Sequence, residues 1–98
     1  MKIHFVGIGG IGMSALAQYY LEKGHEISGS DLFASEITEF LQNKGINIFI
    51  GNKAGHIQKD CDLVIYSPAV KSENPELVIT KNMGIVLQSY PEALGKLT

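Results

Sequence analysis

The stretch "VGIGGIGMS", Val6 to Ser14, decides the fold. It stands between a short apolar run, Lys2-Ile-His-Phe-Val6, and a segment of helical period. Its glycines Gly7, Gly9, Gly10 and Gly12 clear the backbone where a strand hands over to a helix. Gly7-Ile-Gly9-Gly-Ile-Gly12 matches G-x-G-x-x-G in the strand, turn and helix setting that gives this pattern its meaning. In that setting the first glycine permits the tight turn, Gly9 lets backbone approach a pyrophosphate, and Gly12 lets the helix pack closely on the sheet. The anion is met by free N–H groups and the positive end of the helix dipole. A glycine turn of purely structural use is the competing reading. Asp31 argues against it, because an acid about twenty residues beyond the loop, at the end of the second strand, belongs beside the nucleoside of such a ligand. Asp31 also reads as a turn or helix-entry residue, since Asp favours those positions.

Working outward, Asp62-Leu-Val-Ile-Tyr66 and Ile85-Val-Leu87 repeat the β-branched character of the first run. Between such runs lie segments of helical period, with Ile11, Ala15, Leu16 and Tyr19 on one stripe and Ile37, Phe40 and Leu41 on another. Each segment ends at a glycine, Gly24 or Gly45, where a left-handed cap is wanted. Asn74-Pro75 supplies an N-cap followed by proline at the first helical position, and Ser89-Tyr-Pro-Glu92 has the spacing of a capping box. The expected order is strand 2–6, helix 11–23, strand 26–30, helix 35–44, strand 46–50, a polar connection, strand 62–66, helix 75–82, strand 85–87 and a last helical start. Alternating units of this length predict an α/β fold: a Rossmann-like three-layer sandwich with a mostly parallel five-stranded sheet.

Composition bounds the function. The chain has 98 residues, 45% of them hydrophobic and 18% charged, with a net charge of -2, which suits one globular domain. Its basic residues are scattered singly, so nucleic acid and anionic membrane have no electrostatic footprint. The apolar start is broken by Gly7 and has neither the h-region of a signal peptide nor the length of a membrane span, so a cytoplasmic protein is expected. Cys61 is the single cysteine, has no partner at metal-ligand spacing, and reads as a core or near-core residue. His4, in strand one, and His25, at a helix-to-strand turn, read as structural. Tyr19 and Tyr20 read as packing residues. No metal site and no catalytic residue is expected.

Taken whole, the opening "IHFVGIGGIGMSALAQYYLEKGHEISGSD" resembles that of the Mur ligases of bacterial peptidoglycan synthesis. The discriminating words are GIGGIGMS (Gly7 to Ser14), GSD (Gly29 to Asp31) and VIYSPAV (Val64 to Val70), and the likeness covers essentially the whole chain. The resemblance implies a first domain that holds the UDP part of UDP-N-acetylmuramic acid. On that basis Gly9, Gly10, Ile11 and Gly12 would contact the diphosphate through main chain, Ser14 would offer a side-chain donor, and Asp31 would face the uridine. Ser67 resembles the first serine of the family's "SSA" element near the nucleotide, although Pro68 replaces the second serine here. Gly55-His56 stands where the family often has a Gly-His pair near the uracil pocket.

No G-x-x-x-x-G-K-[ST] phosphate loop occurs in the chain, so no cradle for ATP and Mg²⁺ is expected within it. In the resembled family that loop opens a central ATPase domain. The chain is therefore expected to be the N-terminal domain of a three-domain ligase, binding substrate without catalysing by itself. ATP, Mg²⁺, and the central and C-terminal domains would belong to the longer protein. The implied reaction joins L-alanine to the lactyl carboxylate through an acyl phosphate. The residues alone leave two alternatives open: an NAD(P)-binding module of an oxidoreductase or nucleotide-sensing protein, and a Rossmann-like interaction module with no ligand.

Overall fold

The computed structural model describes residues 1–97. β1 (Lys2–Val6) leads through the glycine loop into α1 (Ile11–Glu22), followed by β2 (Glu26–Asp31), α2 (Glu36–Asn43) and β3 (Asn47–Ile50). A 3-10 turn (Ala54–His56) precedes β4 (Leu63–Tyr66), α3 (Pro75–Asn82), β5 (Val86–Ser89) and α4 (Tyr90–Gly95). The strands form one sheet in the order β3-β2-β1-β4-β5, and every pairing is parallel. The expected architecture is thus present, with the sheet parallel throughout.

Local chemistry places the boundaries. Asn74 caps α3 by accepting from the Glu76 N–H at 2.9 Å, with Pro75 next to it. Ser89 and Glu92 form the reciprocal capping box of α4, and Ser35 and Thr38 form another at α2. Helices α1, α2 and α3 close with one hydrogen-bond pattern, in which His25, Ile46 and Ile85 donate back to the carbonyls of Tyr20, Leu41 and Thr80.

The two faces of the sheet are covered differently. Ile3, Phe5 and Ile27 pack under α1, α2 and α4, in a core that includes Leu16, Leu41 and Ala93. The opposite face carries Val6 and Val64 under Leu77 of α3 and Ile57. Because β3 and β4 are joined by only a 3-10 turn, α3 is the single α-helix packed on this face among the described residues, and polar side chains line part of it.

The phase of α1 differs from the expected stripe. Met13, Leu16 and Ala17 are buried, with Tyr20 and Leu21 packed against the core, whereas Ile11 is 82% exposed and Ala15 and Tyr19 are also exposed. The segment is apolar or small almost all round, so several stripes fit its composition. The one that wins has the spacing i, i+3, i+4, i+7, i+8 from Met13. Phe40 of α2 likewise lies half in solvent, while Leu41 is fully buried. Cys61 is half-buried, and burial pushes its thiol pKa up, as suits a packing role.

Candidate functional site

β1 lies between β2 and β4, so the chain leaves β1 toward one side of the sheet and later returns to the other. At such a switch point the connections diverge beyond the strand ends and leave a crevice. Here that crevice is a cleft of about 570 Å³ whose walls include Gly7, Gly10, Asp31, Asn52, Ser67 and Lys71.

The glycines of the loop answer to different neighbours. Gly7 has φ +85°, and a Cβ there would also lie 2.9 Å from Ser67 Cβ. At Gly9 a Cβ would meet the Asp31 carboxylate at 2.7 Å, so the space beside its Cα is filled by protein and not held open for a pyrophosphate. At Gly12 the obstacle is the Tyr90 ring of α4, with Oη at 2.7 Å and Cζ at 2.8 Å, so the close packing is helix to helix and not helix to sheet. Gly10 differs from all three. It is exposed, has an ordinary φ of -68°, and a Cβ on it would make only normal contacts at 3.8 Å. Neither local sterics nor backbone conformation requires glycine there.

Gly10 is also the N-cap of α1, and no side chain caps that helix, whereas Ser35, Asn74 and Ser89 cap the other three. The first-turn N–H groups at Ile11 and Gly12 therefore meet no capping side chain, and an anion satisfies such groups well.

Asp31 does more than line the cleft. Its Oδ2 accepts the Gly9 N–H at 2.8 Å, which ties the end of β2 to the loop. Ser14 is buried, and its Oγ donates to the Ile11 carbonyl at 2.9 Å, so its proton is engaged within the helix. Ser67 lies on the cleft wall, where its Oγ accepts from the Ala69 N–H at 3.3 Å and its carbonyl accepts from the Val70 N–H at 2.9 Å. Pro68 is thus the second residue of a turn from Ser67 to Val70, where its fixed φ is favoured and an N–H is not needed.

His56 does not line this cleft. Its ring stacks on Phe49 with centroids 4.2 Å apart, and it borders a separate 240 Å³ cavity on the α3 face of the sheet. The residue that follows β3 onto the cleft wall is Asn52, after Gly51.

Beneath the cleft lies a residue the sequence reading passed over. Glu76, in the first turn of α3, is completely buried. Its Oε1 accepts from His4 Nε2 at 2.6 Å and Ser30 Oγ at 2.8 Å. Its Oε2 accepts from Asn52 Nδ2 at 3.0 Å, His56 Nδ1 at 3.0 Å and the Lys53 N–H at 3.3 Å. Burial opposes ionisation, but the hydrogen bonds from His4, Asn52 and His56, with the His4 charge, outweigh it and hold the carboxyl at about 2. Because a carboxylate only accepts, His4 Nε2 and His56 Nδ1 must both carry protons. One signal for Glu76 was available: His4 sits in a strand flanked by β2 and β4, where a buried imidazole needs a polar partner from the covering layer.

Fold and site together define a Rossmann-like domain whose glycine loop opens on a cleft at the topological switch point. The chain belongs to the Mur ligase family, whose catalytic-domain description matches residues 2–98. It is 48% identical over 96 residues to UDP-N-acetylmuramate–L-alanine ligase of Clostridium kluyveri, an alignment covering 98% of this chain and 21% of that protein. The ligase of the same name from Campylobacter jejuni is 52% identical over 93 residues, covering 95% of this chain and 21% of that protein. The crystal structure of UDP-N-acetylmuramate-alanine ligase from Thermotoga maritima is similar with a TM-score of 0.92 and 41% identity, over 96% of this chain and 22% of that one. The chain therefore spans about a fifth of the length of the curated relatives it matches. Among the described residues no helix is long and apolar enough to cross a membrane.

Proposed function

We propose that this chain holds the UDP part of UDP-N-acetylmuramic acid, as the N-terminal domain of a cytoplasmic, ATP-dependent UDP-N-acetylmuramate–L-alanine ligase of peptidoglycan synthesis. The observation that carries the reading is Gly10: exposed on the cleft wall, it lacks a side chain where its own neighbours leave room for one. A diphosphate seated against that bare Cα would accept from the first-turn N–H groups of α1 and lie at the positive end of its dipole. The Gly9 N–H is already engaged by Asp31, so the amides at Ile11 and Gly12 are assigned to the ligand. Asp31 both braces the loop and borders the nucleoside, and Ser67 lines the opposite wall.

Ser14 acts on helix geometry, and Asn52 replaces His56 as the side chain offered from the connection after β3. Magnesium ATP, bound in the central domain of the longer ligase, would supply the activation of the lactyl carboxylate. This domain contributes position: gripping the UDP handle, remote from the reacting carboxylate, reduces the entropy lost in bringing that group to the ATP site.

The test is a chemical-shift titration of labelled chain with UDP, UDP-N-acetylmuramic acid and NAD, repeated on Gly10→Val. Saturable shifts at Gly7 to Gly12 with the uridine ligands are expected, with a Kd on the order of 0.1–1 mM. Gly10→Val should weaken them tenfold or more while costing no more than about 2 kcal/mol of stability, the scale of a lost N-cap preference. Saturation by NAD alone would transfer the site to dinucleotide chemistry.

A further inference from the structure

Asn52 presents to its surroundings an amide whose two ends have opposite hydrogen-bonding character, and the protein fixes which end faces which way. Nδ2 donates to Glu76 Oε2 at 3.0 Å and to Ser30 Oγ at 3.1 Å. Neither partner can take the amide reversed. Glu76 is an acceptor on both oxygens, and Ser30 directs its hydroxyl proton to Glu76 Oε1 at 2.8 Å, which leaves its oxygen to accept. Both amide hydrogens of Asn52 are thereby committed inward. Oδ1 accepts nothing among the described residues. No buried side-chain oxygen or nitrogen there lacks a partner, so Oδ1 is open to solvent, and Asn52 lines the cleft.

We infer that Glu76 is a positioning residue for base selection: it locks the Asn52 amide so that a lone carbonyl acceptor faces the nucleobase. Such an acceptor suits a base edge with an N–H donor, as the N3–H of uracil provides, and opposes the bare N3 acceptor of cytosine. This rests on the reading of the cleft as a UDP site. The strand order supplies the placement. Phosphates on the loop after β1 and a pentose beside Asp31 at the end of β2 carry the base toward the end of β3, where Asn52 stands. The discrimination is set from beneath by a residue that does not itself line the cleft.

The experiment is calorimetric or chemical-shift titration of the chain with UDP and with CDP, on the parent, Asn52→Ala, Ser30→Ala and Glu76→Gln. The parent should prefer UDP by about tenfold, the scale of one well-placed hydrogen bond against a mismatched acceptor. Asn52→Ala should erase that preference by weakening UDP while leaving CDP within about twofold. Glu76→Gln, which sets an amide donor among the donors it should receive, should erase it too, and Ser30→Ala should reduce it. General loss of structure would weaken both nucleotides alike, so the UDP-to-CDP ratio separates positioning from mere stabilisation. If Glu76→Gln fails to fold, Asn52→Ala and Ser30→Ala decide. A parent that binds both nucleotides equally, or an Asn52→Ala or a folded Glu76→Gln that keeps the preference, overturns the inference while the cleft remains a nucleotide site. A parent that binds neither at millimolar concentration overturns the UDP reading itself, and the inference with it.

Discussion

Glu76 should make the stability of this chain fall steeply in acid, because its carboxylate has lost water and is held instead by donors from β1, β2, the connection after β3 and the 3-10 turn. Its pKa lies at about 2 in the folded chain against 4.5 ordinarily. A depressed folded pKa contributes stability that is fully present above the unfolded value and is lost as pH falls toward the folded one. The window is therefore about pH 4.5 down to about pH 2. At about 1.4 kcal/mol for each pH unit, the separation is worth about 3 kcal/mol, a large share of the 5–15 kcal/mol that typically holds a small domain together. Asp60 and Glu92 also have lowered pKa values, but both are solvent-exposed and screened, so Glu76 should dominate. Two measurements check this. Carboxyl carbon shifts of Glu76 should stay flat down to about pH 3, and urea unfolding should show Glu76→Gln losing its disadvantage relative to the parent across the same window. A Glu76 carboxyl that titrates near 4.5, or a parent-to-variant gap that is constant with pH, would refute the argument that the network holds the charge.

The loop glycines make two further predictions. Gly12→Ala should cost about 1–3 kcal/mol in urea unfolding because its Cβ collides with the Tyr90 ring, and Tyr90→Ala should relieve part of that cost in a double-mutant cycle. Gly9→Ala should cost about 1–2 kcal/mol by dislodging the Asp31 carboxylate, and little more once Asp31→Ala is present; fully additive losses would mean that the two residues are not coupled.

The element order was legible because its punctuation is local. Asn74-Pro75, the Ser89 to Glu92 box, and Gly24 and Gly45 act within a turn of the residues they cap, and each ends or begins a helix where the sequence places it. The phase of α1 was not legible, since a segment as apolar as Ile11–Glu22 carries little contrast between its faces until α4 and the sheet choose one. The glycine loop and Asp31 could be found from spacing, but their contact could not, because it joins the loop after β1 to the end of β2, 22 residues apart in the chain. Glu76 was hidden for a related reason. An acid in the first turn after Asn-Pro reads as an ordinary complement to the helix dipole, and only the fold brings His4, Ser30, Asn52 and His56 to the same carboxylate.

This division bears on how ligand identity is encoded. A glycine loop offers N–H groups and a dipole to any diphosphate, whatever base lies at the other end, so its pattern cannot separate UDP from NAD. Moreover, at Gly7, Gly9 and Gly12, the three glycines of the motif, a side chain would strike Ser67, Asp31 and Tyr90, so these glycines are explained by the fold, and on the proposed reading it is Gly10, at one of the pattern's open positions, that serves the ligand. Choice of base must therefore come from polar side chains farther along the sheet edge, and these are useful only if their orientation is fixed. Asn52 meets that condition because Glu76 and Ser30 bind both of its amide hydrogens. On the proposed reading, affinity for the phosphates rests on the loop after β1 and preference for the base on the connection after β3. A variant at Gly10 should lower binding of every nucleoside diphosphate together, whereas one at Asn52 should weaken UDP and leave CDP nearly unchanged.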